Sequence, residues 1–293
     1  MLFSTQTEVL FPALGEGAAL DLFREAGFSA LDFTMYSSER IKDENWREYA
    51  KSIREMAKDR DIIFNQMHAP FGGGAAFYMG DTRPLLPSCI EFASIIGARN
   101  IVIHPIQIPR YYGHEEEHFT MNMEFYRSLA PYAKEYGVKI AIENMWQTHP
   151  VTHRIVDDVC ADPYEHIRYF DTLDDSDAFT LCLDLGHVAL CEREPENSIR
   201  LLGRDRLGCI HAHDVDYVRD LHTIPGLSRL NWDEICRALG EIDYRGDFTL
   251  EADDVYKNMP KEVYPEVCRL SGAVAKQMAR KIDEYRDASN RDA

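Results

Sequence analysis

With 293 residues, 45% of them apolar, the chain is long enough for one large domain or two ordinary ones and can bury a substantial core. Its 32 basic against 50 acidic residues give a formal net charge of −18, a field that repels polyanions unless a local basic patch overrides it, and the sequence has none. The seven cysteines form no CxxC pair, the first residues MLFSTQTEVLFPALGEG lack a basic segment followed by a long apolar one, and no apolar run reaches 18 residues, so the expectation is a reduced, cytoplasmic protein that neither spans a membrane nor is secreted.

Along the chain, short apolar runs rich in β-branched residues alternate with amphipathic stretches of helical length, the pattern of βα units on a parallel sheet. The predicted strands are 2–5 (LFST, with TEVLFPA competing for the position), 30–36, 62–68, 100–106, 139–145, 179–185, 207–213 and 247–253. Residues 40–61 mix both charge signs at helical spacing and read as a solvated helix face. Further helices follow the patterns GAALDLFREAGF, PLLPSCIEFASIIGA, EFYRSLAPYAKEYG and NWDEICRALGEI, with Gly27, Gly97, Gly137 and Gly240 as helix stops and a closing helix near 262–286. Eight units at about 37 residues each suit an α/β fold of one kind, a single (β/α)8 TIM barrel. No linker rich in proline, glycine or serine divides the chain, so residues 1–293 read as one domain. A doubly wound open sheet would want a glycine-rich turn after its first strand, and GxGxxG is absent.

Six successive apolar runs end in a metal-capable side chain: His68, His104, Glu143, Asp184, His211 and Glu251, separated by 36, 39, 41, 27 and 40 residues. In a closed barrel the C-terminal strand ends converge, so these groups would share one cavity. A lone histidine or glutamate at a strand end is usually solvated or hydrogen-bonded; six in register are not explained that way. Several carboxylates and imidazoles buried together without a cation would cost several kcal/mol per unpaired charge. Two glutamates, an aspartate and a histidine make an oxygen-rich donor set that suits one Mn²⁺, Mg²⁺, Co²⁺ or Zn²⁺.

The segments HAP (68–70), IHP (103–105), IEN (142–144), DLGH (184–187), HAHD (211–214), DLH (220–222) and LEAD (250–253) resemble the sugar phosphate isomerase/epimerase superfamily with its xylose isomerase-like barrel, which also contains the apurinic endonuclease IV family. The resemblance covers the motifs between about residues 60 and 255 and specifies a superfamily, not a substrate. It implies a divalent metal held by Glu143, Asp184, His211 and Glu251, and a substrate-facing His187. In the ketose 3-epimerase branch the two metal-bound glutamates perform the chemistry, which casts Glu143 and Glu251 as catalytic. Abstracting a proton next to a carbonyl needs a base on carbon and an electrophile on oxygen, and a divalent metal fills the second role. Two opposed glutamates give epimerisation through an enediolate; one relaying the proton between neighbouring carbons gives isomerisation.

In the crowded stretch IHAHDVDYVRDLH (210–222), His211 ends its strand as a ligand, and His213 points to the same face. Asp214 is placed to orient His211, while Asp220 and His222 line the pocket or bind a further metal. Substrate contacts fall to His68, His104, His187, Trp146, Arg219, Asp220 and His222. Phe71, Tyr111 and Tyr112 also follow strand ends, where they either stack on a sugar face or pack locally. HAPFGGGAAFYMG (68–80) reads as a glycine-rich lid, and with only Arg219 close after the seventh strand a phosphate is weakly provided for.

Two other readings remain. A zinc-dependent apurinic-site endonuclease would use His68, His104, Glu143, Asp184, His187, His211, Asp220, His222 and Glu251, and all nine residue types are present. Against it stand the charge of −18, the lack of a basic loop after the strand ends, and His213 where the nuclease usually has asparagine. A polyol dehydratase of the same barrel uses similar parts. A sugar- or metal-binding module would have no need of two opposed bases. The expected partner is a small sugar or sugar phosphate, with no nucleic acid or membrane; homo-oligomers are usual in such families.

Overall fold

The computed structural model describes residues 1–71, 82–257 and 259–292. Its strands are β1 (Phe3–Thr5), β2 (Ala30–Thr34), β3 (Ile63–His68), β4 (Asn100–Val102), β5 (Lys139–Glu143), β6 (Trp146–Thr148), β7 (Ile155–Asp157), β8 (Phe179–Asp184), β9 (Leu207–His211) and β10 (Phe248–Leu250). Strands β2, β3, β4, β5, β8 and β9 form one parallel sheet in that order, and β1 pairs with β10. Two seams join the pieces. At one, Thr7 N donates to Asp32 O at 3.1 Å beside the Gln6–Asp32 bridge; at the other, Ala212 N donates to Thr249 O at 2.8 Å. Eight parallel strands thus close into a (β/α)8 barrel.

Strand β8, FTLCLD, is buried at every residue because helices cover its outside and the barrel lumen its inside. The lumen holds a small separate cluster of Val102, Ala141, Cys182 and Cys209. Small side chains there leave room for the polar groups stacked above them. The outer helices bury one stripe each: in Trp46–Lys58 it runs through Trp46, Ala50, Ile53 and Ala57. All seven cysteines are free and buried. No described helix is long and apolar enough to cross a membrane.

The strands are shorter than predicted at their C-terminal ends, since β2, β4, β5, β9 and β10 stop two to four residues early and the rest of each motif is loop. TEVLFPA is not a strand: Leu10–Leu14 is helical. Gly97 and Gly137 end helices in the left-handed region, at φ 91° and 66°, and Gly27 follows another helix at φ 93°. Gly240 instead lies inside the helix Trp232–Glu241, where a Cβ would meet Tyr285 Cβ at 2.6 Å. It permits close contact with the closing helix, Tyr264–Asp292. The antiparallel β6–β7 hairpin was not anticipated. Of the glycine-rich segment 68–80, residues 72–80 lie outside the described residues.

Candidate active site

The expected convergence is present at the C-terminal mouth. His68, Glu143, Asp184 and His211 are the last residues of β3, β5, β8 and β9, while Glu251 follows β10 directly and His104 lies two residues beyond β4. All six are buried. Donor atoms of Glu143, Asp184, His211 and Glu251 lie within 4.8 Å of one another, as do those of His68, His104 and Glu143, and those of His187, His213, Asp220 and His222.

Local structure fixes each group. Asp184 caps the helix Leu185–Leu190 by accepting from His187 N at 2.7 Å, so DLGH turns back on itself and presents both side chains to the mouth. Asn144 clamps the next strand: its Oδ1 accepts from Asp184 N at 2.8 Å and its Nδ2 donates to Asp184 O at 3.0 Å. His68 Nδ1 lies 2.8 Å from Ala69 O and His187 Nδ1 2.8 Å from Asn144 O. Those carbonyls accept from Nδ1–H, which turns the Nε2 of both rings toward the cavity. His68 Nε2 faces His104 Nε2 at 3.0 Å. His213 Nε2 stands between the two Asp184 oxygens at 3.0 and 3.1 Å, and its ring stacks on His222 at 4.2 Å. A Cβ at residue 186 would lie 2.1 Å from His213 Cε1, so Gly186 is what admits this ring.

The charges fit a cation. Glu143 Oε1 and Glu251 Oε2 each lie 2.7 Å from the same nitrogen, His211 Nδ1, which carries at most one proton. Glu143 Oε2 is 2.8 Å from His104 Nε2 but makes no hydrogen bond, and Glu251 Oε2 has none either. Burial works to raise all three acids, yet the imidazoles outweigh it. His211 and His104 hold Glu143 well below the usual carboxylate range, His187 and His213 bring Asp184 to about 2, and His211 and His222 bring Glu251 to about 2. Three ionised carboxylates and one imidazole around unbonded oxygens are a donor set for a hard divalent ion. On the far side of the ring, His211 Nε2 lies 2.8 Å from Gln66 Nε2, which also donates to Asp32 Oδ2 at 2.8 Å, so Asp32 positions the ring through Gln66.

The cavity above these groups measures about 310 Å3 and is walled by Phe71, Met145, Trp146 and Gln107 together with the imidazoles of His68, His104, His187 and His222. Trp146 Nε1 donates to Asp220 Oδ2 at 3.2 Å, and His222 Nε2 lies 3.2 Å from Asp220 Oδ1. Tyr36, absent from the sequence reading, donates to Gln6 Oε1 at 2.9 Å and stands 3.1 Å from Glu251 Oε1.

Two expected roles are not met, and of the two alternatives for Tyr111 local packing is the one found. Arg219 does not reach the cavity: Asp216, three residues earlier, holds its guanidinium at 2.7 Å in solvent. Asp214 does not orient His211; it accepts from Gly226 N, Ser228 N, Leu230 N and Trp232 Nε1, each at 2.8–3.0 Å, and so fixes the loop after β9. Tyr111 packs on His118, and Tyr112 is exposed beside it, both away from the cavity. The missed residues had a signal in strand alternation: Gln66 lies two before His68 and so shares its face. Asn144 lay in the IEN segment and Tyr36 ended the predicted strand 30–36, but neither was given a role.

Residues 20–271 match the family described as xylose isomerase-like TIM barrel, and the chain belongs to it. The whole chain superposes on a D-tagatose 3-epimerase-like protein with a TM-score of 0.73 at 20% identity, covering 100% of this chain and 99% of that one. A 3-keto-D-glucoside 4-epimerase from E. coli matches with a TM-score of 0.71 at 17% identity, over 94% of this chain and 99% of that one. An uncharacterized protein of Methanocaldococcus jannaschii is 25% identical over 246 residues, 81% of this chain and 79% of its own length.

Proposed function

We propose that the protein is a divalent-metal-dependent isomerase or epimerase of a small keto sugar or sugar phosphate. The observation that carries this reading is the pairing of Glu143 and Glu251: both are buried, both are held ionised, both line one cavity, and each has an oxygen without a hydrogen bond. Glu143, Asp184, His211 and Glu251 would hold the ion, which when bound polarises the substrate carbonyl and stabilises charge on the enediolate. The two glutamates take and return the proton, from opposite faces in epimerisation, or one of them carries it between adjacent carbons in isomerisation. His68, His104 and His187 offer ring nitrogens to substrate hydroxyls, and Phe71 and Trp146 offer apolar faces. Loss of water from the product instead of proton return would mark a polyol dehydratase on the same residues.

Elemental analysis of protein purified without chelator should give about one Mn, Mg, Co or Zn per chain. Ketoses incubated in D₂O should take up deuterium, with uptake lost on stripping and restored by the ion. Metal-loaded protein that exchanges no ketose or ketose phosphate overturns the reading.

One observation favours a second reading, zinc-dependent cleavage at abasic sites in DNA. The nine residues that would match its ligand set all lie within the three donor clusters around the mouth. The charge of −18 opposes DNA binding. Close to three zinc per chain with cleavage of an abasic duplex would put this reading first.

A further inference from the structure

A second cavity, of about 260 Å3, adjoins the first at Gln107, which lines both. It lies between the loop after β4 and the β6–β7 hairpin, and Pro109, Arg110, Gln147, Thr148 and Pro150 complete most of its wall. Gln107 Nε2 spends its two hydrogens on Trp146 O at 3.1 Å and Asp158 Oδ2 at 2.7 Å. Its Oε1 is left as an acceptor with no protein donor among the described residues.

The catalytic cavity alone sits at the low end of the roughly 300–1,000 Å3 typical of small-molecule sites. The neighbour nearly doubles the space. Its lining sets two carboxamides and a hydroxyl beside the apolar rings of two prolines, which suits a pyranose with hydroxyls on its edge and an apolar C–H face. One guanidinium, Arg110, is balanced by one carboxylate, Asp158, so the lining lacks the cation excess that a phosphate draws.

We propose that the groove between Gln107 and Thr148 is a second subsite for an uncharged sugar unit, so that the substrate is a keto-glycoside or keto-disaccharide. Its reacting ring sits over Glu143 and Glu251 and its second ring lies against the hairpin. This rests on the sugar isomerase or epimerase reading.

The test compares D-fructose with the glucosyl-fructoses isomaltulose, turanose and maltulose as substrates for deuterium exchange by metal-loaded protein. At least one disaccharide should exceed fructose about tenfold in kcat/KM. Thr148→Trp, which fills the groove from an exposed position, should lower that disaccharide-to-fructose ratio about tenfold, and Gln147→Ala should lower it less. Fructose matching every disaccharide, or a ratio unmoved in both folded variants, overturns the subsite and leaves the activity standing. No exchange with any sugar instead overturns the activity. Calorimetric titration with isomaltulose then judges the groove by itself: binding weakened tenfold in Thr148→Trp supports it, and binding that is unchanged or absent overturns it.

Discussion

At the N-terminal mouth of the barrel, a cavity of about 780 Å3 is lined by Arg99, Lys134, Lys139, Arg204 and Arg245, and four of these five cations have a carboxylate partner. Arg99 pairs with Asp247, Lys134 with Asp175 at 2.6 Å, and Arg204 and Arg245 both with Asp243 at 2.6 Å. The C-terminal cavity is less than half that volume, yet there two carboxylate oxygens compete for one imidazole nitrogen and others have no hydrogen bond. Size therefore misleads, and the better marker of chemistry is polar valence left unspent in a buried place. At the bottom of the barrel most charges are paired; at the top several buried carboxylate oxygens crowd one cavity with too few donors.

The largest effect should come from removing a base at the top. Glu143→Gln and Glu251→Gln should each cut deuterium exchange into substrate by about 10²–10⁴-fold while far-UV circular dichroism stays native. A variant within tenfold of wild type would break the contrast. Next is Gly186→Ala, whose Cβ collides with His213; stability in urea should fall by about 1–3 kcal/mol, and His213→Ala in the same chain should restore part of it. No restoration would mean that the ring is not the obstacle.

A smaller, pH-dependent effect is expected behind the top face at Glu165, where burial pushes the carboxyl up to about 7 and its Oε2 accepts from Cys160 N at 2.7 Å. The folded protein keeps this proton to near pH 7, whereas the unfolded chain releases it near 4.5. Stability from this group is thus complete below about 4.5 and lost as pH rises through about 7. Glu165→Gln should then exceed wild type by about 2 kcal/mol at pH 8 and by little at pH 4, and equal stabilities at pH 8 would contradict it. The smallest effect belongs to the bottom mouth: Arg245 is 64% exposed and its partner Asp243 keeps Arg204 at 2.6 Å, so Arg245→Met should cost under about 1 kcal/mol and leave exchange kinetics unchanged. A kinetic change there would couple the two mouths.

Most of the barrel was legible because each strand is a short apolar run closed by a polar signature, and the register of six donors at its ends made the site legible too. The hairpin was not, since WQT and IVD are short, partly exposed and joined by six residues without a two-residue turn signal. Gly240 misled for a different reason: a packing glycine and a stop glycine look alike until the opposing helix is in place. Arg219 and Asp214 misled because sequence proximity to His211 says nothing of where a loop turns: Asp216, three residues back, takes the Arg219 guanidinium, and Asp214 turns to backbone donors 12 to 16 residues on.

The four hydrogen bonds gathered by Asp214 have a consequence for how such an enzyme can change over evolutionary time. They fasten the return of the β9 loop at Gly226, Ser228, Leu230 and Trp232, so one carboxylate anchors the end of the loop whatever its exposed tip carries. Val218 and Arg219, both held out in solvent, are then open to drift without disturbing the donors on either side. A lineage can retune the rim of the mouth while its floor stays inherited.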